Sequence, residues 1–320
     1  MPPTQTSTQS NRILLCFACV YLFWGGTYLA MRFGVEVLPP FLLASTRFMI
    51  AGPLMLALCL LKGISIRPGS LRELGILAAI GILMLACGNT AAIWAEQYIP
   101  SGLAALLVAA IPLFAALIEF FLPHGEGLSS RGWTGIVIGL AGLGLLVSPS
   151  LAASRHGDSR QLIAAAVILT GAFAWTGGSV LSRHATVRLS AFAAAGWEMF
   201  IAGLFNTGIM AATRGYHGAQ WGFTAWASIF YLVVFGSLVT YTAYLYLLDH
   251  VAVPKVATYA YVNPMIAVIV GAIFLKERLS SIEYAGMAAI LLAVFLVTSS
   301  KLKSGKPAAA IELAPVEPQA

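Results

Sequence analysis

Charged residues are scarce in this sequence. Asp, Glu, Lys and Arg make up 9% of the 320 residues, whereas hydrophobic residues make up 59%. A soluble domain carries roughly 25% charged residues, and charge helps to keep it dispersed in water. The scarcity therefore excludes an ordinary soluble protein. Apolar runs of about 20 residues, the length that spans a bilayer as a helix, recur along the chain and predict an integral membrane protein.

Sequence patterns for catalysis and metal binding are also missing. The chain has no P-loop, no GxSxG elbow and no HExxH motif, which argues against ATP hydrolysis and proteolysis. Its histidines fall in loops or at the ends of apolar runs, without the helical spacing of metal ligands. The sequence thus predicts no enzyme, no cofactor and no metal site. The cysteines lie inside apolar runs, where we interpret them as small packing residues: Cys16, Cys19, Cys59 and Cys87.

The net charge of +6 is a weak sign of nucleic-acid binding. Lys and Arg stand singly between apolar runs, so membrane topology explains them better, and no nucleic-acid partner is predicted. With the N-terminus inside, eleven of these residues fall on inside segments and six on outside loops. This bias favours a cytoplasmic position for both termini.

Ten membrane spans are predicted, with short connections that leave no room for an extramembrane domain. They cover residues 13–31, 38–61, 73–95, 101–122, 132–148, 161–181, 190–212, 223–248, 253–275 and 281–298. The polar stretch 1–11 and the Pro/Ala-rich stretch 300–320 are predicted to be disordered tails.

An internal repeat organises the spans. A shift of 151 residues aligns identical residues: Trp24 with Trp175, Gly26 with Gly177 and Arg32 with Arg183. The chain is therefore predicted to contain two five-helix repeats, at 12–150 and 151–299. Because five is odd, the second repeat enters the membrane from the opposite side. The predicted fold is an all-α integral membrane protein of ten transmembrane helices in two inverted repeats.

Each repeat has a tryptophan followed by glycines in its first span, in Trp24-Gly25-Gly26 and Trp175-Thr176-Gly177-Gly178. One interpretation is helix packing, since small residues let backbones approach closely in lipid. The other is a flexible point beside a cavity, with the tryptophan as a stacking surface. Duplication does not choose between them.

Two prolines occupy matching positions in the fourth and ninth spans, Pro112 and Pro264. Proline removes a backbone donor, so each helix is expected to kink there. Interrupted helices at matching positions in two halves point to the central site of a transporter. Plain packing is the alternative.

Polar and aromatic residues concentrate in the third, fourth, eighth and ninth spans. With the two repeated tryptophans, the candidates for substrate binding are Trp24, Asn89, Trp94, Trp175, Tyr241, Tyr244, Tyr261 and Asn263. Glu96 and Glu119 are candidates for carrying a coupling proton. Both lie near span ends, where a carboxylate also reaches the headgroups, so a plain interfacial role stays open for each.

Arg47 and Glu198 fall near the middle of the second and seventh spans, and the 151-residue shift superimposes them. A charge at that depth costs about 2.5–3.5 kcal/mol on insertion scales. We predict that the two are linked, directly or through water, across the pseudo-twofold axis. The alternative is that each faces its own wet cavity or a backbone carbonyl.

The order of these motifs resembles the drug/metabolite transporter superfamily, EamA type, over residues 12–299. The segments that carry the resemblance are Phe23-Trp24-Gly25-Gly26-Thr27, Arg47-Phe48, Trp94-Ala95-Glu96-Gln97, Pro100-Ser101-Gly102-Leu103-Ala104-Ala105-Leu106, Tyr261-Val262-Asn263-Pro264 and Lys276-Glu277-Arg278-Leu279-Ser280. The resemblance implies a bacterial inner-membrane secondary transporter, often an exporter of amino acids, related metabolites or drugs. The family's usual Gly-Glu-Arg-Leu after the fourth span appears here as Gly125-Glu126-Gly127-Leu128, without the basic residue.

These observations together predict a multi-pass transporter that exports small amphipathic metabolites by alternating access. Its partners are a small-molecule substrate and the lipid bilayer, with protons as a candidate coupling ion; the oligomeric state is not predicted. A membrane-embedded enzyme is a weaker alternative, because it would need converging catalytic groups. A non-transporting structural or sensor protein is the other alternative, although it would not need polar residues and kinks matched across two halves.

Overall fold

The structure is a computed structural model that describes residues 7–121, 129–155, 157, 159–251, 253–256 and 258–302. Within these ranges it is helical and contains no strand. Ten helical spans follow one another. They are α1 (Ser7–Val37), α2 (Pro40–Leu61), α3 (Leu71–Ala95), α4 (Ser101–Phe121), α5 (Ser130–Arg155), α6 (Arg160–His184), α7 (Ala191–Ala212), α8 (Phe223–His250), α9 (Val253–Val256 and Tyr259–Phe274) and α10 (Ser281–Leu302).

The lengths of these helices agree with the predicted spans. Eight of the described helical stretches are long and apolar enough to cross a membrane. Of the other two, α7 has 22 residues, the same length as α2, while the main segment of α9 is apolar but shorter. The all-α membrane architecture is therefore confirmed.

Three helix ends differ from the prediction. Helix α1 begins at Ser7 and α10 continues to Leu302, so the expectation of disorder is wrong for residues 7–11 and 300–302. Adding residues to an existing helix costs little, which lets polar residues extend an apolar span. Helix α5 runs through Pro149 to Arg155, beyond the predicted repeat boundary at 150. The segments 1–6, 125–128 and 303–320 lie outside the described residues.

Reciprocal contacts between α2 and α7 reveal the relation between the two repeats. A Cβ added to Gly52 would lie 2.5 Å from the Phe200 nitrogen, and one added to Gly203 would lie 2.8 Å from the Met49 nitrogen. Met49 and Phe200 are separated by 151 residues, as are Gly52 and Gly203. Each contact is therefore the repeat equivalent of the other, as expected across an approximate twofold axis.

Helices α5 and α10 form a second reciprocal interface. A Cβ on Gly135 would lie 2.8 Å from Val297 Cγ2, and one on Gly286 would lie 2.9 Å from Leu146 Cγ. These two contacts are again related by the 151-residue shift. Since small residues permit such close approach of helices in lipid, Gly135 and Gly139 of α5 serve packing.

The fourth span is broken close to its proline. Helix α4 is interrupted at Ala109 and Ala110, and its second segment starts at Ile111, which puts Pro112 in the first turn. A missing N–H costs little in that turn because it has no intrahelical partner. The fourth span is thus interrupted just before Pro112.

The ninth span differs at its proline. Helix α9 runs continuously through Pro264 from Tyr259 to Phe274. Its interruption lies upstream, between Val256 and Tyr259, where the Thr258 carbonyl accepts from the nitrogens of both Tyr261 and Val262. Both matched spans are thus interrupted, but in α9 not at the proline itself.

Helices α3 and α8, which are equivalent in the two repeats, each contain a π-helical segment, Ile82–Asn89 and Tyr231–Val239. Hydroxyl groups support them by donating to the carbonyl five residues back: Thr90 to Leu85 at 3.3 Å, Ser237 to Leu232 at 2.9 Å and Thr240 to Phe235 at 2.5 Å. π-Helical turns are rare and frequently lie at functional sites. No feature of the sequence predicted them.

Candidate substrate site

An aromatic cluster joins three spans. The Trp24 ring of α1 lies 5.3 Å from both Tyr244 of α8 and Tyr259 of α9, and the two tyrosine rings lie 5.8 Å apart. Tyr241 adjoins the cluster, with its ring 6.4 Å from that of Tyr244. These distances are typical of edge-to-face and tilted aromatic pairs. The cluster offers an apolar surface with phenolic hydroxyls, and it includes three of the predicted site residues.

The π-helical segment of α8 connects this cluster to a buried arginine. The carbonyl of Gly236 accepts hydrogen bonds from Trp24 Nε1 at 3.1 Å and from Arg47 Nη2 at 3.4 Å. Both side chains therefore converge on one oxygen. The Thr27 side chain fills the space beside Gly236, where an added Cβ would lie 2.9 Å from Thr27 Cγ2.

Arg47 also bridges the two π-helical segments. Its Nη1 donates to Asn89 Oδ1 at 3.0 Å, and its Nε donates to Ser237 Oγ at 3.2 Å. The residue is buried, with 5% of its surface exposed. Asn89, predicted as a substrate residue, thus lies in the same polar network as the guanidinium.

The predicted direct link between Arg47 and Glu198 is wrong. Among the described residues, Arg47 makes no ion pair, and its hydrogen bonds go to neutral acceptors. The alternative, a backbone carbonyl as partner, is the arrangement found. Glu198 is half-buried and lies within electrostatic reach of the Tyr241 hydroxyl. An arginine can satisfy its donors on carbonyl and amide oxygens, so equivalence under the repeat does not by itself bring opposite charges together.

Trp175 occupies the corresponding place in the other repeat but outside the aromatic cluster. It packs on Gly88 of the α3 π-helical segment, where an added Cβ would lie 3.0 Å from Trp175 Cβ. Trp24 and Trp175 thus each meet a glycine in a π-helical segment of the opposite repeat. The neighbouring glycines serve close approach as well: a Cβ on Gly25 would lie 2.6 Å from Ile266 Cβ. Gly25 therefore serves close packing, whereas the role of Trp24 as a stacking surface beside a cavity stays a prediction.

A buried carboxyl group lies where α3 ends. Glu96 is 0% exposed, and neither carboxyl oxygen has a hydrogen-bond partner among the described residues. Arg32 of α1 donates instead to the Glu96 backbone carbonyl. Burial raises the pKa of Glu96 well above its ordinary range, the nearby Glu277 adds to the rise, and Arg32 opposes it. Glu96 is therefore poised to hold a proton.

Glu277 belongs to the same cluster but is fully engaged. Its carboxylate accepts from the Ser101 backbone nitrogen at 2.9 Å, from Ser101 Oγ at 2.8 Å and from the Gly102 nitrogen at 3.3 Å. These groups are the unpaired donors at the start of α4, and a carboxylate is favoured there by the helix dipole. The loop after α9 is thus tied to the first repeat.

Glu119, the other proposed proton carrier, has a fixed counter-charge. Its Oε1 accepts from Arg183 Nη1 of α6 at 2.6 Å, an ion pair between the two repeats. The Glu119 side chain is buried while that of Arg183 is partly exposed. The ion pair ties α4 to α6, so Glu119 suits a structural role better than proton transfer.

Both repeats match the same family. The EamA-like transporter family matches residues 11–148 and again 162–299. The chain belongs to the EamA-like transporter family. The resemblance to the drug/metabolite transporter superfamily is thereby confirmed, and the family model matches the chain twice.

Two curated relatives and one solved structure are similar to this EamA-like transporter. A protein of Escherichia coli strain K12 named an uncharacterized inner membrane transporter, YedA, is 38% identical over 296 residues, which cover 91% of this chain and 92% of YedA. The WAT1-related protein At3g02690, chloroplastic, of Arabidopsis thaliana is 27% identical over 281 residues, 87% of this chain and 67% of its own. A solved crystal structure shares the fold, with a TM-score of 0.61 and 21% identity over 91% of this chain and 98% of that one.

Three further predicted substrate residues of this EamA-like transporter make contacts of their own. The Trp94 ring pairs with Tyr98 at 5.1 Å and packs against the main hydrophobic core. The Tyr261 hydroxyl donates to the Val294 carbonyl of α10 at 3.2 Å, so it anchors that helix. Asn263 is buried, and its Oδ1 has no partner among the described residues.

Other site residues were missed or left without a role. Tyr259 belongs to the tyrosine-rich segment but was not assigned to the site, and Glu277 stood in a family-like motif without a function. Gly236 contributes only its backbone carbonyl, which has no sequence signature. The described residues contain no group of three or more His, Cys, Asp or Glu side chains suited to a metal ion. Cys16 and Cys19, although spaced as CxxC on α1, are both free thiols.

Proposed function

We propose that this membrane transporter is a secondary transporter that exports small amphipathic metabolites by alternating access. The observation that carries the proposal is the convergence of Trp24 and Arg47 on the Gly236 carbonyl, inside a π-helical segment between the repeats. Weakened helical segments at matched positions are where transporters bind their substrates. The neighbouring tyrosines supply an apolar surface, and the guanidinium supplies polar contacts, which together suit an amphipathic compound.

Alternating access is supported by two polar ties between the repeats, at opposite ends of the spans. At one end Glu277, after α9, binds the start of α4. At the other end Glu73, at the start of α3, accepts from the nitrogens of Arg188 and Leu189 before α7, at 2.5 and 3.1 Å. We propose that these ties break in turn while the glycine contacts between α2 and α7 act as the pivot.

Glu96 is the proposed site of the coupling proton. Its carboxyl group is buried and without a hydrogen-bond partner among the described residues, so its protonation is governed by its surroundings rather than by a fixed ion pair. Opening the cluster to water on that side would let the proton leave. Glu119 keeps its ion pair with Arg183 in this scheme.

The proposed location is the bacterial inner membrane, with both termini in the cytoplasm. The location is supported by the similarity to YedA, which is named an inner membrane transporter, and by the membrane-length helices of this chain. The orientation is supported by the excess of Lys and Arg on the segments that would then lie inside.

The test is counterflow in proteoliposomes. Purified protein is reconstituted, loaded with pools of unlabelled amino acids, related metabolites or drug-like amines, and assayed for uptake of labelled members of each pool. We expect uptake by the wild type and its loss in Trp24→Ala. Trp221→Ala is the matched control, because Trp221 is 49% exposed and its ring pairs with Trp226, outside the cluster. Equal uptake by Trp24→Ala and Trp221→Ala would contradict the proposed site, and no uptake from any pool by the wild type would contradict the proposed function.

A further inference from the structure

Arg47 carries a buried positive charge that is solvated by neutral groups. A guanidinium has five N–H donors, and within the described part of the chain three of them are used, on Asn89, Ser237 and Gly236. Two N–H groups, one on Nη1 and one on Nη2, therefore remain for a further acceptor. Within the described part of the chain no carboxylate lies within ion-pair distance of Arg47.

The guanidinium and the aromatic cluster meet at one backbone carbonyl. Arg47 Nη2 and Trp24 Nε1 both donate to the Gly236 oxygen, at 3.4 and 3.1 Å. The Trp24 ring packs against the rings of Tyr244 and Tyr259, with centroids 5.3 Å away. A positive charge and an apolar surface thus meet at one place in the bundle.

We propose that Arg47 binds the carboxylate of the substrate while the aromatic cluster holds its apolar body. The ligand class is a small carboxylic acid with an aromatic or large apolar side group, and this inference rests on the proposed transport function. Two N–H groups on adjacent nitrogens of a guanidinium match the two oxygens of a carboxylate. A buried charge without a counter-ion is costly, so this site favours an anion.

A purely structural role explains the arginine less well. Joining the two π-helical segments needs only donors to Asn89, Ser237 and the Gly236 carbonyl, and a neutral side chain would provide donors without a charge to bury. Glu198, the acidic residue at the equivalent position, makes no ion pair with Arg47 among the described residues.

The test compares 3-phenylpropionate with its amide, 3-phenylpropanamide, which has nearly the same shape but no charge. Binding is measured as thermal stabilisation of the purified full chain in detergent, and transport is measured separately as counterflow in proteoliposomes. We expect the acid to bind the wild type about 10- to 100-fold more tightly than the amide, the range typical of a charged hydrogen-bonded pair. Arg47→Lys should keep part of this preference because it keeps the charge.

Asn89→Asp is the sharpest variant. Asn89 Oδ1 lies 3.0 Å from Arg47 Nη1, so the new carboxylate would neutralise the guanidinium from within and preserve the tie between α2 and α3. If Arg47 has only a structural role, Asn89→Asp should have unchanged or increased stability and should not change the preference for acid over amide. The proposed role predicts similar stability and loss of the preference for acid over amide. Arg183→Gln serves as control, since it removes an arginine that is paired with Glu119 and should leave the preference intact.

The two proposals fail in distinguishable ways. If the acid stabilises the wild type but no compound is transported, the transport function is wrong and the carboxylate site stands. If acid and amide give equal responses, including no response to either, the assignment of Arg47 is overturned. Retention of the full acid preference in Asn89→Asp would overturn it as well.

Discussion

Two carboxyl groups of one cluster, Glu277 and Glu96, are expected to respond in opposite ways to the same change. Glu277→Gln replaces a carboxylate that accepts three hydrogen bonds at the start of α4. The amide keeps one acceptor oxygen, and its NH₂ group faces donors of Ser101, which is fully buried. Hydrogen bonds to a charged group contribute about 1.5–3 kcal/mol each. Discounting for the partial exposure of Glu277, we expect a loss of about 2–4 kcal/mol.

Glu96→Gln should leave stability nearly unchanged at neutral pH. Neither oxygen of Glu96 has a partner to lose among the described residues, and burial already favours the uncharged carboxyl, which an amide resembles. We expect a change of less than about 1 kcal/mol. The measurement is thermal unfolding of the purified protein in detergent, followed by tryptophan fluorescence. Glu36→Gln, which removes an exposed ion pair with Arg32, is the control and should also have little effect.

The pH dependence provides a second readout of the same reasoning. The raised pKa of Glu96 means that the folded protein binds a proton that the unfolded chain releases above about pH 4.3. This contribution to stability is fully present below that pH and is lost as the pH rises toward the raised pKa. Glu96→Gln should flatten this part of the profile. The reasoning is refuted if Glu96→Gln destabilises the protein as much as Glu277→Gln does, or if the profile of Glu96→Gln matches that of the wild type.

Three further predictions concern the packing of α2 against α7, proton coupling and membrane topology. Gly52→Val and Gly203→Val should each lower the unfolding temperature, because their side chains would meet the backbones of Phe200 and Met49; Gly208→Val on α7, which faces open space, is the control, and equal stability of all three would contradict the reciprocal packing. Glu96→Gln should retain counterflow but lose stimulation of transport by a pH gradient, whereas unchanged stimulation would remove Glu96 from the coupling scheme. Reporter fusions after residues 65 and 186 should be cytoplasmic and those near 98, 156 and 216 outside, and a cytoplasmic result at 156 would contradict five spans per repeat.

The ten spans and the twofold repeat could be recognised from the sequence because both depend on local or one-dimensional information. Apolar length alone marks a span, and a constant shift of 151 residues marks the repeat. Contacts in the structure follow the same shift: Gly52 packs against Phe200, and Gly203 packs against Met49. Because a charged group within a membrane is costly, charged residues in or near the spans, such as Arg47 and Glu96, could also be recognised from the sequence as functional candidates.

The partners of those polar residues depend on which spans become neighbours and on the exact path of the backbone. Arg47 meets Asn89 and the Gly236 carbonyl because two π-helical segments turn these groups toward it, and π-helical turns have no sequence signature comparable to that of a span. Glu119 forms an ion pair with Arg183, whereas the carboxyl oxygens of Glu96 have no hydrogen-bond partner among the described residues. A buried charge is costly unless an opposite charge or a dipole lies close to it. Which group lies close depends on how segments distant in the sequence pack together.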